Sequence, residues 1–309
     1  MLVQTSDFSM TRVTQDTMNT GSSKAFTRGD DDIIPPDPGA HAVLNHRENV
    51  LVLPAGIPTY LSQLANTATM FGISTFCLHR EPLPQALESL STLTNVVEVM
   101  DDGLHFLQSI EPLESHSFRY VFHAPSRGVN IASLLEPIRK ASVEVTLQCF
   151  TLAADLGSTV VVHPGYFAWE EERAAAVSQF SASLRDLKNG ARDLGVTFYL
   201  ENMGNWNYFL LRYPDELGLL DGVGLALDVG HAHLNHCLAG FLAHPIAHVH
   251  IHDNDGKEDS HSPVGSGSID FTGVLDTIDR EHAVPIIEVD TLEGTTRSIA
   301  ALEALERRK

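Results

Sequence analysis

Cysteine is scarce: Cys77, Cys149 and Cys237 are odd in number and far apart in a chain of 309 residues. That excludes a disulfide framework and a thiolate-rich zinc site, and the three read as small buried hydrophobes. Positive charge is also short, with 20 Lys and Arg against 40 Asp and Glu and a net charge of −20 with histidine neutral. A field of that sign repels phosphate backbones, so generic nucleic-acid binding is disfavoured, while a local basic groove stays compatible with it. No apolar run approaches the ~20 residues of a membrane span, and no membrane partner is expected. The N-terminus lacks a basic segment followed by an apolar core, so no secretory signal is read and the cytosol is the expected compartment.

What the chain has in excess is histidine, 16 in all. Three of them alternate in "HVHIHDND" (248–255). A strand sends every second side chain to one face, so His248, His250 and His252 would share a side.

The chain divides by composition. Residues 1–69 include "TQDTMNTGSSKAFTRGDDDIIPPDPGA", rich in Ser, Thr, Asp, Gly and Pro. They read as a disordered or loosely attached extension, or as an over-long gene model with Met70 as the native start. From residue 70 onward, short β-rich runs alternate with helix-length segments. The runs are "GISTFCL" (72–78), "NVVEVM" (95–100), "RYVFHA" (119–124), "STVVVHP" (158–164), "VTFYLEN" (196–202), "VGLALDV" (223–229), "IAHVHIH" (246–252) and "VPIIEVD" (284–290). One intervening segment, "IASLLEPIRKASVEVTLQCFTLAADLG", has helical apolar spacing and Gly157 as its stop. Eight such units predict an α/β fold, a (β/α)8 TIM barrel over 70–309. A doubly wound open sheet would need a glycine-rich phosphate loop after an early strand, and none is present.

Groups able to bind metal end six consecutive strands: His123, His163, Glu201, Asp228, His250 and Glu288. In a TIM barrel these ends converge on one mouth, where active sites sit. Burying six acids and imidazoles together is costly without a compensating cation. His231 follows Asp228 by one turn, and Asp259-Ser260-His261 precedes "GSGSIDF", a loop whose glycines would let backbone approach a ligand. Carboxylate oxygen with imidazole nitrogen suits a divalent metal ion, Zn, Mn, Co or Mg, in one to three copies.

The runs "FHAPSRGVNIAS", "VVHPG", "YLEN", "LALDVGHAH", "HVHIHDNDGKEDSHSPVGSGSIDF" and "IIEVD" resemble the xylose-isomerase-like TIM-barrel superfamily. It contains sugar and sugar-phosphate isomerases and epimerases, and also endonuclease IV. "GISTFCLHREPL" and Glu98 in "VVEVMDDG" look like the isomerase and epimerase branch. The resemblance implies that Glu201, Asp228, His250 and Glu288 hold the metal of an epimerase-type enzyme. It implies a second metal on His123, His163 and Glu201, and a third on His231, Asp259 and His261, as in endonuclease IV. That nuclease typically reads His-Leu-Asn-Asp-Ser after the seventh strand, whereas this chain has His250-Ile251-His252-Asp253-Asn254.

Three functions are compatible with these residues. The leading one is a metal-dependent sugar or sugar-phosphate isomerase or epimerase working by enediolate chemistry, with a small carbohydrate as substrate and Glu201 and Glu288 moving the proton. The alternatives are an abasic-site DNA phosphodiesterase with a multinuclear zinc site, and a non-catalytic metal- or sugar-binding barrel. Arg127, after the third strand, is the candidate for a substrate phosphate or carboxylate, with a solvated loop charge as the plain alternative. His252, nearer the mouth than His250, is a substrate-contact candidate, with Asp253 orienting it or a neighbour. His248 is expected deeper, as a hydrogen-bonded interior histidine. Trp169 and Trp206 are candidates to stack on a sugar or close as a lid, with packing as the plainer use. His105 is among the histidines read as incidental.

Overall fold

The computed structural model describes residues 70–309. The expectation for residues 1–69 lies outside the described residues. Eight parallel strands close in chain order: β1 (Gly72–Ser74), β2 (Val96–Met100), β3 (Arg119–His123), β4 (Thr159–Val162), β5 (Phe198–Glu201), β6 (Gly224–Asp228), β7 (His248–Ile251) and β8 (Val284–Ile287). The last strand returns to the first through Gly72 opposite Ile286 and Ile73 opposite Ile287. The expected TIM barrel is therefore present.

The strands are shorter than the sequence runs. The run 72–78 is strand only to Ser74, then a 3-10 turn over Thr75–Leu78 whose entry is capped by the Ser74 hydroxyl. His163 and Glu288 stand one residue beyond β4 and β8, on the first loop positions of the mouth.

Seven α-helices lie among the described residues: α1 (Leu83–Leu90), α2 (Glu136–Asp155), α3 (Arg173–Leu194), α4 (Val229–Leu234), α5 (Leu238–Phe241), α6 (Phe271–Glu281) and α7 (Leu292–Glu306). The helix predicted from Ile131 begins only at Glu136, because Pro137 has no N–H to donate and suits a first turn. Gly157 does fall at its end, at φ 62°, where a left-handed residue breaks the repeat. The connections from β2 to β3 and from β5 to β6 carry 3-10 turns instead of α-helices.

Period-two alternation separates core from site. On β6, Leu225 and Leu227 pack outward with Val249 and Ile251 of β7 against Val274, Leu275 and Ile278 of α6. The alternate residues Asp228, His248 and His250 carry the polar groups and are fully buried. Around β3 and β4, Phe122, Val160 and Val162 pack with Phe150 of α2 and Phe180, Leu184 and Leu187 of α3. The register sets Asp228 beside His250 and Met100 beside His123, which brings the strand ends to a common level.

Candidate metal centre at the barrel mouth

His123 ends β3 with its ring buried. Its Nδ1–H donates to the Ala124 carbonyl at 2.9 Å, leaving Nε2 facing Glu201 Oε2 at 3.2 Å. His163 brings its own Nε2 to within 3.1 Å of the same oxygen. The other Glu201 oxygen lies 3.3 Å from His250 Nδ1, and Glu288 Oε2 lies 3.2 Å from that nitrogen. The Asp228 carboxylate accepts the His231 N–H at 2.7 Å and so caps the short helix α4 that carries His231.

Three groups of donor atoms result, each with all its atoms within 4.8 Å of one another: His123, His163 and Glu201; Glu201, Asp228, His250 and Glu288; and His231, His252, Asp259 and His261. All nine metal candidates from the sequence fall into these groups. His252 joins them, fully buried and away from the cavity lining, so its expected place as a substrate contact is not where its ring stands.

The donor set fits a divalent cation. Metal–ligand bonds of about 2.0 Å at tetrahedral angles put neighbouring donors about 3.3 Å apart. The separations of 3.1 to 3.3 Å around Glu201 and His250 match that edge. Three imidazoles also have the second nitrogen tied to a main-chain carbonyl, which selects the tautomer that frees Nε2. They are His123, His231 on Asn202 and His261 on Glu288, each at 2.9 Å.

Without a cation, protons must balance the carboxylates. Burial pulls the His123 imidazole down, but the hydrogen bond and charge of Glu201 outweigh it and carry it up to about 9. His261 is likewise carried up to about 9, burial being overcome by Asp259 and Glu288. Burial pushes the Glu201 carboxyl up, yet the charges of His250 and His163 and the His123 hydrogen bond hold it well below the usual carboxylate range.

A fourth group lies deeper. Glu98 of β2, His248 and His250 are fully buried, with Glu98 oxygens 2.8 Å from His248 Nε2 and 2.9 Å from His250 Nε2. These separations are shorter than a coordination edge and suit direct carboxylate–imidazole pairing, although the approach angles leave all three side chains without an aligned hydrogen bond. Burial raises Glu98, and the two imidazoles more than reverse it, holding the carboxyl far below its usual range. The sequence signal for this pairing is a lone acid in the middle of the apolar run "VVEVM".

The mouth opens on a cavity of about 650 Å³ lined by His123, His163, Glu201, His231, Asp259, His261 and Glu288 on its polar side. Phe76, Met100, Val129, Trp206 and Phe209 form its apolar wall, and Arg127 is the single Lys or Arg in the lining. Trp169 is exposed and outside it. The Trp206 loop is clamped from behind by buried Arg212, which donates to Asn205 O, Asn207 Oδ1 and Asn235 Oδ1.

Two expectations take a different form. Asp253 does not orient His252; its carboxylate accepts the backbone N–H groups of Asn254, Gly265, Gly267 and Ile269. The glycines of "GSGSIDF" therefore close on a buried carboxylate of the chain itself, since a Cβ on Gly267 would land on Asp253 and Asn254. His105 is buried between Thr75 Oγ1 and the Glu81 carbonyl, each at 3.0 Å, so it is a structural tie.

Comparison with known proteins agrees with the barrel fold. The chain is 33% identical over 216 residues to an uncharacterised protein of Methanocaldococcus jannaschii, covering 67% of this chain and 86% of that one. It is 29% identical over 202 residues to a probable endonuclease 4 of Mycobacterium leprae, covering 58% of this chain and 76% of the other. Among solved structures, a D-tagatose 3-epimerase-like protein superposes with a TM-score of 0.70 at 27% identity, over 77% of this chain and 97% of its own. The family model described as xylose isomerase-like TIM barrel matches residues 108–307, and the chain belongs to that family.

Proposed function

We propose that the protein is a metal-dependent isomerase or epimerase of a small sugar or sugar phosphate. The observation that carries this reading is the pair Glu201 and Glu288. Both line the cavity, and both stand beside the same nitrogen, His250 Nδ1, at 3.3 and 3.2 Å. Two carboxylates at one opening can remove a proton from a carbon and return one to it. When bound by Glu201, Asp228, His250 and Glu288, a divalent cation would polarise a substrate carbonyl and stabilise negative charge on its oxygen.

The remaining roles belong to the chain. Glu201 is held ionised by the surrounding imidazoles and is ready to take the proton from the carbon beside the carbonyl. Glu288 returns a proton to that carbon for epimerisation, or one carboxylate carries it to the neighbouring carbon for isomerisation. Phe76, Trp206 and Phe209 offer apolar faces to sugar C–H groups and limit water at the reacting carbon. Arg127, exposed at the rim, is placed to meet a phosphate or carboxylate on the substrate. The similarity to a D-tagatose 3-epimerase-like protein supports the reading.

The second reading, abasic-site cleavage, is favoured by one observation: three donor groups, matching the nine positions expected of a trinuclear site. Against it stand the net charge of −20 and a cavity with one cation in its lining, because a bent duplex needs Lys or Arg on several phosphates. Incubation of the metal-loaded protein with a panel of ketoses and ketose phosphates should give epimer or isomer formation. Nicking of an abasic-site duplex, with every sugar untouched, would reverse the order.

A further inference from the structure

We infer that a second cavity, between the β4–α3 and β5–β6 connections, binds a small zwitterion of the amino-acid type, with a carboxylate and an ammonium on an apolar body. The inference does not depend on the reaction assigned to the barrel mouth.

This cavity has a volume of about 350 Å³ and shares only Phe209 with the wall of the mouth. No residue of the metal donor groups lines it. The two connections that enclose it are joined by backbone: Phe167 N–H donates to the Tyr208 carbonyl at 3.0 Å, and Tyr166 forms an antiparallel bridge with Phe209. Phe167 and Tyr208 then meet edge-on at 5.6 Å and, with Phe209, supply an apolar face.

Two guanidinium groups line the cavity, and their charges are met differently. Arg173 pairs with Glu216 Oε1, while Glu216 Oε2 accepts the backbone N–H groups of Arg212 and Tyr213 at 2.7 and 3.2 Å, so that pair is closed. Arg212 is only 9% exposed, yet among the described residues no carboxylate stands within 4.0 Å of its guanidinium. Its hydrogen-bond partners are all neutral, Asn205 O, Asn207 Oδ1, Tyr213 Oη and Asn235 Oδ1, and its Nε has none. An interior cation without a counter-ion is costly, and a bound anion offsets that cost.

Arginine has donors and no acceptor, which fixes how its neighbours are turned. Asn207 gives Arg212 its amide oxygen at 3.2 Å, so the Asn207 NH₂ is directed elsewhere. Tyr213 gives it a phenol lone pair at 3.1 Å, so the Tyr213 O–H is directed elsewhere too. Both residues line the cavity, and neither donor meets an acceptor among the described residues. A buried positive charge with two free donors beside it suits a carboxylate. Glu170 and Asp215 supply the opposite sign: both line the cavity, both are exposed, and neither has an ion-pair partner among the described residues. They disfavour a phosphate dianion and offer acceptors to an ammonium group.

The test is calorimetric titration of metal-loaded and metal-free protein with phenylalanine, 3-phenylpropanoate, which lacks the ammonium, and phenethylamine, which lacks the carboxylate. Phenylalanine should bind about tenfold or more tightly than either relative, the scale of a charge-assisted hydrogen bond, and equally well with and without metal. Arg212→Gln should bring phenylalanine down to the level of phenethylamine. Because Arg212 also clamps the Trp206 loop, Tyr213→Phe is the second variant, and it removes only a hydroxyl from an exposed residue. It should weaken phenylalanine and 3-phenylpropanoate about threefold or more and leave phenethylamine unchanged. Glu170→Gln combined with Asp215→Asn should weaken phenylalanine and phenethylamine alone. Absence of saturable phenylalanine binding at millimolar concentration would overturn the proposal. So would equal affinity for phenylalanine and either relative, or binding seen only with metal present, which would place the ligand at the barrel mouth.

Discussion

His250 is held from below by Glu98: the carboxylate stands 2.9 Å from Nε2, and the opposite ring nitrogen faces Glu201 and Glu288. A buried acid thus presents the second nitrogen of the same imidazole to the donor group, the arrangement by which a carboxylate sets the basicity of a metal-binding histidine. Replacing Glu98 by Gln should lower metal affinity about 10- to 100-fold. Leaving His248 and His250 without their shared anion should also cost roughly 3 kcal/mol or more of stability. Chelator competition and denaturant unfolding read the two effects. An affinity equal to wild type would remove Glu98 from this role.

Glu288 belongs to one donor group and Glu201 to two, so Glu288→Gln is the cleaner test of proton transfer. Turnover on an identified sugar should fall about 10²- to 10⁴-fold, with the unfolding midpoint nearly unchanged. Solvent deuterium incorporation at the reacting carbon should fall in step. Full exchange with slow product formation would place Glu288 after the proton-removal step.

Metal-free and metal-loaded protein should respond oppositely to alkali. The His123 and His261 pKa values, raised to about 9, stand above their ordinary value of 6.5. Their stabilising charge is therefore fully present below pH 6.5 and lost as pH rises through about 9. Metal-free protein should melt at lower temperature at pH 9 than at pH 6.5. A cation must displace those protons, so its apparent affinity should climb over the same window, with proton release on binding. A pH-independent affinity would show that these imidazoles are not ligands.

Asp101 offers a pH effect outside the donor groups. Burial pushes its carboxyl up to about 6, against hydrogen bonds from the Leu107 N–H and Cys149 that lower it. The folded protein therefore binds a proton more tightly than the unfolded chain, and this group's contribution to stability falls as pH rises from about 4 to about 6. Asp101→Asn should flatten that slope and gain on the order of 2 kcal/mol at pH 7, a figure set by the pKa displacement. An unaltered slope in denaturant titrations at pH 4.5 and 7 would contradict it.

Gly267→Ala tests the loop seat. The added methyl would meet Asp253 and the main chain of Asn254, and backbone cannot swing aside as a side chain can. Stability should fall by about 3 kcal/mol, in the range of overpacking a closed interior. Thermal unfolding equal to wild type would mean that the loop is free to shift.

Much of this was readable along the chain because a strand repeats every two residues. Leu225 and Leu227 alternating with Asp228, or Val249 and Ile251 with His248 and His250, state which face meets α6 and which meets the barrel interior. Strand ends were less legible: Thr75 onward turns to 3-10 geometry because the Ser74 hydroxyl accepts from Phe76 N, a local bond that composition does not announce. Alternation gives position 252 a face and a height, which predicts a substrate contact, while the ring's neighbours depend on α4 and on the loop that returns over it.

By itself, then, the sequence determined the barrel, the order of the donor residues and the sign of the charge around them. These follow from apolar periodicity and residue type, which act locally. Tertiary structure alone decided that Glu98 pairs with His248 and His250, and that His252 joins His231, Asp259 and His261. Those groupings arise from strands far apart in the chain closing on one axis, where separations of a few ångströms set which atoms can share a charge.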